Sequence, residues 1–250
     1  MRRFHDALPS MSHAQSDAFN RCISETLEKM DSTLPFHNDQ HVINVFDAVI
    51  QITNQMDFLN SNEKTLLACA GMMHDIAHPG ISNTQHSLWN SPLLQQYGHC
   101  SPNERMHADL ACIILRKNNI FRLFPCFISE GEIEQMILAT DMVEQFNVLN
   151  CTNSIKNTSR QNLYNIIIKC ADLFHLTKTF DECSYWARKY NQEAGLLMNP
   201  EHEQKFLENM GLPLFKRLKE ICPCESFEKY IECIEENSRR YGSESCVSCA

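Results

Sequence analysis

The sequence predicts one compact, multi-helix, all-α domain that spans residues 1–250. Apolar residues recur three and four positions apart along most of the chain, and no stretch alternates long enough to indicate a strand. Only 7 glycines occur in 250 residues, which disfavours a sandwich or barrel built on many tight turns. Apolar residues make up 43% of the chain, which is enough for one sizeable core.

The first half of the chain contains three predicted helices. Apolar stripes predict a helix over residues 16–30 and, after a turn around residues 34–36, a second helix over residues 42–56. A third helix is expected to start at a cap at residues 60–61 and to end near His74 and Asp75 in a continuous apolar run. Because a helix without a polar face is buried, its terminal histidine and aspartate should enter the centre of the domain.

The later helices are predicted from their start signals and apolar stripes. Ser101 and Glu104, with proline between them, have the form of a capping box that opens a helix ending near Arg116. Ser129 and Glu132 offer a second start of the same kind. Further helices are predicted over residues 162–176, 181–197, 201–221 and 226–239.

Charge and cysteine content limit the partners and the compartment. The formal net charge of −9 disfavours a surface that binds nucleic acid or anionic lipid. The N-terminus lacks an apolar signal region, and the longest charge-free apolar run, residues 66–73, is too short to span a bilayer. The 13 cysteines lack the spacing of a disulfide framework, so reduced thiols in a cytoplasmic protein are expected.

The last residues, 242–250, are predicted to form a disordered tail that contains cysteines. Cys246 and Cys249 have the spacing of half a zinc site, but no second pair with matching spacing accompanies them. Unpaired thiols in a frayed tail are therefore the favoured interpretation.

Histidines and aspartates occur beside several of the predicted helices. His74 and Asp75 end an apolar helix, His37 and His41 lie four residues apart, and Asp172 follows another apolar run. Imidazole and carboxylate together suit zinc, manganese or iron. A metal centre shared by three helices is one interpretation. Spacing alone leaves two alternatives open. The His74-Asp75 pair can be a chance dipeptide, and the histidines can be core residues whose hydrogen bonds are made within the core.

Five sequence blocks, in order along the chain, resemble the catalytic domain of cyclic nucleotide phosphodiesterases, which belong to the HD-domain phosphohydrolase superfamily. The blocks are FHNDQH at residues 36–41, HDIAHPGISN at 74–83, ERMH at 104–107, LATDM at 138–142 and CADL at 170–173. The resemblance spans residues 34–241 of a divergent and shortened chain. It implies an all-α phosphodiesterase domain with a metal centre between its helices.

The resemblance implies hydrolysis of a 3′,5′-cyclic nucleotide, cAMP or cGMP, to the 5′-monophosphate. His41, His74, Asp75 and Asp172 would bind the tighter of two divalent ions, expected to be zinc. Asp75 would also bridge to a second ion, magnesium or manganese. A hydroxide held between the ions would attack phosphorus, and His37 would be the general acid that protonates the departing oxygen.

The resemblance also implies roles for residues around the metal ligands. Residues that orient the ligands and bound waters would be His78, Glu104 and His107. Residues that contact the nucleotide would be Gln204, Phe206, His175 and Met142. For Gln204, an exposed helical residue is the alternative. The resemblance is compatible with a homodimer, and the oligomeric state stays open.

Several positions depart from the family pattern. Phe36 replaces the usual tyrosine, Ala77 replaces an acidic residue, and residues 192–195 stand where two acids and two phenylalanines are usual. These departures leave selectivity between cAMP and cGMP open. The alternative functions are an HD-type phosphohydrolase that acts on another nucleotide or phosphate ester, and a catalytically weak nucleotide-binding homologue. No GxSxG, P-loop or GxGxxG motif supports a different chemistry.

Overall fold

The structure is a computed structural model that describes residues 11–144, residue 149 and residues 159–247, with side chains described up to residue 243. The α-helices are α1 (His13–Leu27), α2 (Asp39–Thr53), α3 (Ser61–Met73), α4 (Asn83–Trp89), α5 (Pro92–Tyr97), α6 (Pro102–Lys117), α7 (Ile120–Leu123), α8 (Glu130–Leu138), α9 (Arg160–Asp172), α10 (Phe180–Ala194), α11 (Pro200–Phe206), α12 (Leu212–Ile221) and α13 (Glu225–Val247). The described residues contain no strand. The all-α prediction is confirmed.

Helix α3 lies at the centre of the fold. It contacts α1, α2, α6, α8 and α9, and every residue from Thr65 to Met73 is buried. At Gly71 the helix approaches α2 so closely that a Cβ atom would lie 2.7 Å from Cγ2 of Val49. The predicted burial of this helix is confirmed, and it carries His74 into the interior, where 1% of the residue is exposed.

Most of the predicted helices are present, with boundaries shifted by a few residues. Asn38 caps α2 by accepting a hydrogen bond from the backbone N–H of His41, so His41 lies in the first turn. The predicted capping box at Ser129 and Glu132 is confirmed. The predicted cap at Ser101 is wrong, because Ser101 has a φ of 50° and its side chain does not cap α6.

The C-terminal region differs from the prediction in two places. The helix predicted over residues 201–221 is divided into α11, a π-helical segment (Leu207–Gly211) and α12. Pro213 follows this segment, and proline provides no backbone N–H for continuous α-helical bonding. Helix α13 continues through Val247, so residues 242–247 extend a helix where a disordered tail was predicted. Residues 248–250, which include Cys249, lie outside the described residues.

Two further sequence expectations can be compared with the structure. Among the described helices, none combines the length and the apolar character needed to span a membrane. The cysteines whose side chains are described are all free thiols. The short helices α4, α5 and α7 were not predicted, because segments of 4–7 residues show too few turns of apolar periodicity.

A buried carboxylate joins the starts of α3 and α9, two helices whose other ends reach the centre of the domain. Glu63 accepts hydrogen bonds from the backbone N–H of Asn60 at 3.0 Å and from the hydroxyl of Tyr164 at 2.5 Å. It also forms an ion pair with Arg160. Because the Glu63 side chain is 1% exposed, each of these donors offsets part of its desolvation cost.

We predict that Tyr164→Phe lowers the free energy of unfolding by about 1.5–3 kcal/mol, because it removes one hydrogen bond to a buried charge. Urea denaturation monitored by circular dichroism measures the change. Tyr97→Phe is the matched control, since the Tyr97 hydroxyl bonds to Asp109 in an exposed position, and it should change stability by less than about 0.5 kcal/mol. Equal effects of the two variants would contradict this account of the buried carboxylate.

Candidate metal centre

Four side chains from three parts of the fold meet at one point: His41 in the first turn of α2, His74 and Asp75 directly after α3, and Asp172 at the end of α9. Oδ2 of Asp75 lies 3.2 Å from Nε2 of His41 and 3.0 Å from Nε2 of His74. Oδ1 of Asp172 lies 3.2 Å and 3.3 Å from the same two nitrogens. The structure therefore brings together all four predicted ligands.

The geometry of this group fits a tetrahedral metal ion. Nε2 of His41 and Nε2 of His74 are 3.3 Å apart. A tetrahedral zinc ion with ligands at about 2.0–2.1 Å would separate those ligands by about 3.3–3.4 Å. Nδ1 of His74 donates to the carbonyl of Gly71 at 2.8 Å, which leaves the Nε2 lone pair directed at the other ligands. These four residues could therefore hold a metal ion.

The electrostatics of the group also favour a cation. Burial acts to lower the pKa of His74, but the neighbouring carboxylates of Asp75 and Asp172 outweigh it and raise this pKa well above its usual value. Burial likewise acts to raise the pKa of Asp75, and the nearby His74 and His37 hold it well below its usual value. Hydrogen bonds from His41 and His74 likewise hold the pKa of Asp172 below its usual value against the effect of burial. Both carboxylates are therefore anions inside the protein, and such groups require ion pairs or metal coordination.

His78 and His107 lie beside Asp75, and their rings stack with centroids 5.5 Å apart. Nδ1 of His107 bonds to the carbonyl of Ile76 at 2.7 Å, and its Nε2 is buried without a hydrogen-bond partner, 3.9 Å from Oδ1 of Asp75. Burial lowers the pKa of His107 to about 4, so this Nε2 is a neutral acceptor. A water molecule on a second cation would satisfy it, and the role of His107 in orienting such waters stays a prediction.

Glu104 adds negative charge to the same region. Its Oε2 accepts from Nδ2 of Asn83 at 2.8 Å, and the same nitrogen lies 3.3 Å from Oδ2 of Asp141. Burial, followed by the charge of Asp141, raises the pKa of Glu104 to about 7. Two or three carboxylates close to one another suit a hard cation such as Mg²⁺, which keeps water ligands. Neither Asn83 nor Asp141 is among the site residues that the sequence predicts.

His37 lies at the edge of the ligand group, with Nε2 4.0 Å from Oδ2 of Asp75. Its ring stacks on the ring of His78, with centroids 3.7 Å apart. Nδ1 of His37 contacts the carboxylate of Glu193, which also accepts from the backbone N–H groups of Phe36 and His37 at 2.8 and 3.0 Å. These contacts leave Nε2 of His37 facing the centre.

Glu193 is a site residue that was not predicted from the sequence. It lies near the end of α10, in the segment that departs from the family pattern, and no motif distinguishes it from the other acidic residues of the chain. The signal that could have revealed it is its helical spacing from Trp186 and Tyr190, whose rings both contact Phe36. A helix face that carries two such aromatic residues toward residue 36 also carries Glu193 there.

The predicted nucleotide-binding residues are not all close to the ligands. His175 lines a cavity of about 160 Å³ together with His41 and Asp172, and burial lowers the pKa of His175 to about 4. Met142 is half-buried, and its sulfur lies 4.0 Å from Nζ of Lys169. The other two predicted residues, Gln204 and Phe206, lie on α11. Phe206 packs against the core.

The contacts of Gln204 are with residues other than the metal ligands. Its Nε2 donates to Glu208 at 2.9 Å, and its side chain lies against Gly242 of α13. Its neighbour Glu203 instead accepts from Nδ2 of Asn191 in α10 at 2.8 Å. The structure does not bring Gln204 into contact with the other predicted site residues, and its role in base recognition stays a prediction.

A helical domain with this His–Asp group is typical of metal-dependent phosphohydrolases of the HD type. Residues 36–206 match the 3′5′-cyclic nucleotide phosphodiesterase family, and the chain belongs to that family. The match includes the ligand group, His37 and Glu193, all of which lie between residues 36 and 206. The predicted family resemblance is confirmed.

Similar proteins and structures agree with this assignment. The chain is 26% identical to cGMP-specific 3′,5′-cGMP phosphodiesterase 3 of Dictyostelium discoideum, over 86% of this chain and 53% of that protein. It is 30% identical to high affinity cGMP-specific 3′,5′-cyclic phosphodiesterase 9A of Drosophila melanogaster, over 76% of this chain and 15% of that protein. The chain thus spans about half, or less, of the length of these relatives.

The fold is also similar to a solved phosphodiesterase domain. The phosphodiesterase domain of the rhodopsin phosphodiesterase from Salpingoeca rosetta superimposes with a TM-score of 0.80 at 18% identity. The match covers 94% of this chain and 84% of that domain. This similarity supports the helical architecture described above.

We predict that Asp172→Ala releases the tighter metal ion, because the variant removes one of four ligands. Metal content of the purified protein, measured by mass spectrometry, should fall from about one tightly bound ion per chain to a small fraction of that. Asp181→Ala, an exposed position on α10, is the control and should retain the metal. Full metal content in Asp172→Ala would contradict the proposed ligand set.

Proposed function

We propose that the protein is a metal-dependent phosphodiesterase that hydrolyses a 3′,5′-cyclic nucleotide to its 5′-monophosphate. The observation that carries the proposal is the group of four ligands from three helices, with the imidazole of His37 beside it. Family membership supports the same activity. Relatives are named as cGMP-specific and as dual cAMP and cGMP phosphodiesterases, which supports a cyclic purine nucleotide as the substrate class.

Two divalent cations are proposed, zinc at the four ligands and magnesium or manganese beside Asp75, Glu104 and Asp141. When bound, such ions make water more acidic and neutralise the charge that develops on a phosphoryl group. The protein contributes the ligand oxygens and nitrogens and their orientation. His74 is fixed by the Gly71 carbonyl, and the unpartnered Nε2 of His107 can accept a hydrogen bond from water.

His37 is proposed to supply the proton that the leaving 3′ oxygen needs. With both ring nitrogens protonated, Nδ1–H donates to Glu193 and Nε2–H is directed at the centre. The carboxylate therefore stabilises the imidazolium and fixes the ring, while the stacked ring of His78 restricts its rotation. Glu193 is assigned as the residue that positions this acid.

Phe36 is proposed to border the nucleotide site. Its ring makes edge-to-face contacts with Trp186, Tyr190 and His175, so it is held rigidly beside the metal ligands. Base contacts by Gln204, Phe206, His175 and Met142 are part of the proposal. For Gln204 the proposal requires that the bond to Glu208 be exchanged for one to the base.

The location and the partners are also proposals. Free thiols at the described cysteines support a reducing compartment, and we infer the cytoplasm. The net charge of −9 supports a small-molecule substrate rather than a nucleic acid polymer. A homodimer stays an expectation from the family resemblance.

The proposed activity predicts that the purified protein with Mg²⁺ or Mn²⁺ converts cAMP, cGMP or both to the 5′-monophosphate, and that EDTA abolishes turnover. Product analysis by chromatography measures both. His37→Ala should lower kcat by about 10²–10⁴-fold with unchanged metal content, because it removes only the acid. His13→Ala, an exposed histidine of α1, is the control.

Three results would contradict parts of this proposal. Turnover of other nucleotides or phosphate esters, with none of cAMP or cGMP, would favour the alternative phosphohydrolase. Binding of a cyclic nucleotide without turnover would favour the weak nucleotide-binding homologue. Loss of metal in His37→Ala would show that His37 is a ligand and not the acid.

A further inference from the structure

The first residue of α4, Asn83, connects two carboxylates that come from different parts of the fold. Its Nδ2 donates to Oε2 of Glu104 at 2.8 Å and lies 3.3 Å from Oδ2 of Asp141. Glu104 lies in the first turn of α6, and Asp141 follows α8. One amide group therefore holds together two acids that would otherwise repel each other.

The orientation of the Asn83 amide is fixed by a neighbouring helix. Ser101 does not cap α6, so the N–H of Asn103 needs another acceptor, and it donates to Oδ1 of Asn83 at 3.1 Å. Because the oxygen of the amide faces this donor, its NH₂ group must face the carboxylates. The backbone N–H of Asn103 therefore determines which end of the Asn83 amide is the oxygen and which is the nitrogen. No flexible side chain is needed to fix this orientation.

Buried contacts hold this arrangement in place. The side chain of Asn103 is buried, donates to the carbonyl of Ile81 at 2.8 Å and has its Oδ1 3.0 Å from Nε2 of His86. On the other side, the ammonium of Lys169 donates to the backbone carbonyls of residues 139, 140 and 141. Both the amide and the turn that carries Asp141 are therefore anchored.

We propose that Asn83 is a positioning residue for the second cation of the site, the one beside Asp75. By donating to Glu104 and Asp141 together, it would hold both carboxylates where they can accept hydrogen bonds from water on that ion, while the backbone N–H of Val143 fixes the other oxygen of Asp141 at 2.9 Å. This inference rests on the proposed function, because the cation belongs to the proposed metal centre. In this proposal Asn83 contacts neither the substrate nor the reacting atoms.

The test is titration of the zinc-loaded full chain with Mn²⁺, followed by the electron paramagnetic resonance signal of free Mn²⁺. Asn83→Ala should weaken Mn²⁺ binding by about 10–100-fold, the usual effect of removing a group that orients a metal site. Zinc content, measured on the same samples, should not change. Asn83→Ser keeps one hydroxyl donor and should give an intermediate loss.

Asn60→Ala is the matched control. Asn60 also caps a helix, but it lies at the start of α3, whereas His74 lies at the opposite end. Both alanine variants should lower the melting temperature, and only Asn83→Ala should weaken Mn²⁺ binding. An unchanged Mn²⁺ affinity in Asn83→Ala, or an equal loss in both variants, would overturn the inference. If the wild-type protein binds no Mn²⁺, the proposed two-ion centre fails as well.

Discussion

The structure depends on the burial of α3, a helix with no polar face that delivers His74 and Asp75 into the interior. An ionised carboxylate and an imidazole in such a place are expensive unless another charge compensates them. The helices packed around α3 provide that compensation, since α2 brings His41 and α9 brings Asp172 to the same point. The close α2–α3 contact at Gly71 and the Glu63 interactions at the far end fix these helices relative to one another.

The sequence predicted the site where a metal-ligating type of residue adjoins a buried helix. Apolar periodicity predicted the long helices, and the ligand set follows from polar residues that end apolar runs together with the family resemblance. The sequence predicted less where contacts between distant parts of the chain determine the local structure. The cap of α6 comes from Asn83 across space, so local pattern wrongly assigned it to Ser101. Glu193 illustrates the same limit, because its partner His37 lies 156 residues away along the chain.

The two halves of the centre have different physical characters. The zinc-type half consists of two imidazoles and two carboxylates, and each carboxylate lies 3.0–3.3 Å from both imidazole nitrogens, a dense set that can surround an ion directly. The other half consists of Glu104 and Asp141, which are held by Asn83, and of His107, which is held by the backbone carbonyl of Ile76. Such an arrangement suits an ion that keeps its own water. This difference, together with His37 held by Glu193, supports the proposal of two cations and a separate proton donor in one pocket.

The most direct test of the account is the position of the tight metal ion in crystals of the purified protein. Anomalous scattering, recorded at the absorption edge of the metal that fluorescence identifies, locates the ion without reference to activity. The account predicts one strong peak about 2.0–2.2 Å from Nε2 of His41, Nε2 of His74 and carboxylate oxygens of Asp75 and Asp172. A peak at other residues, or the absence of any peak from active protein, would contradict it.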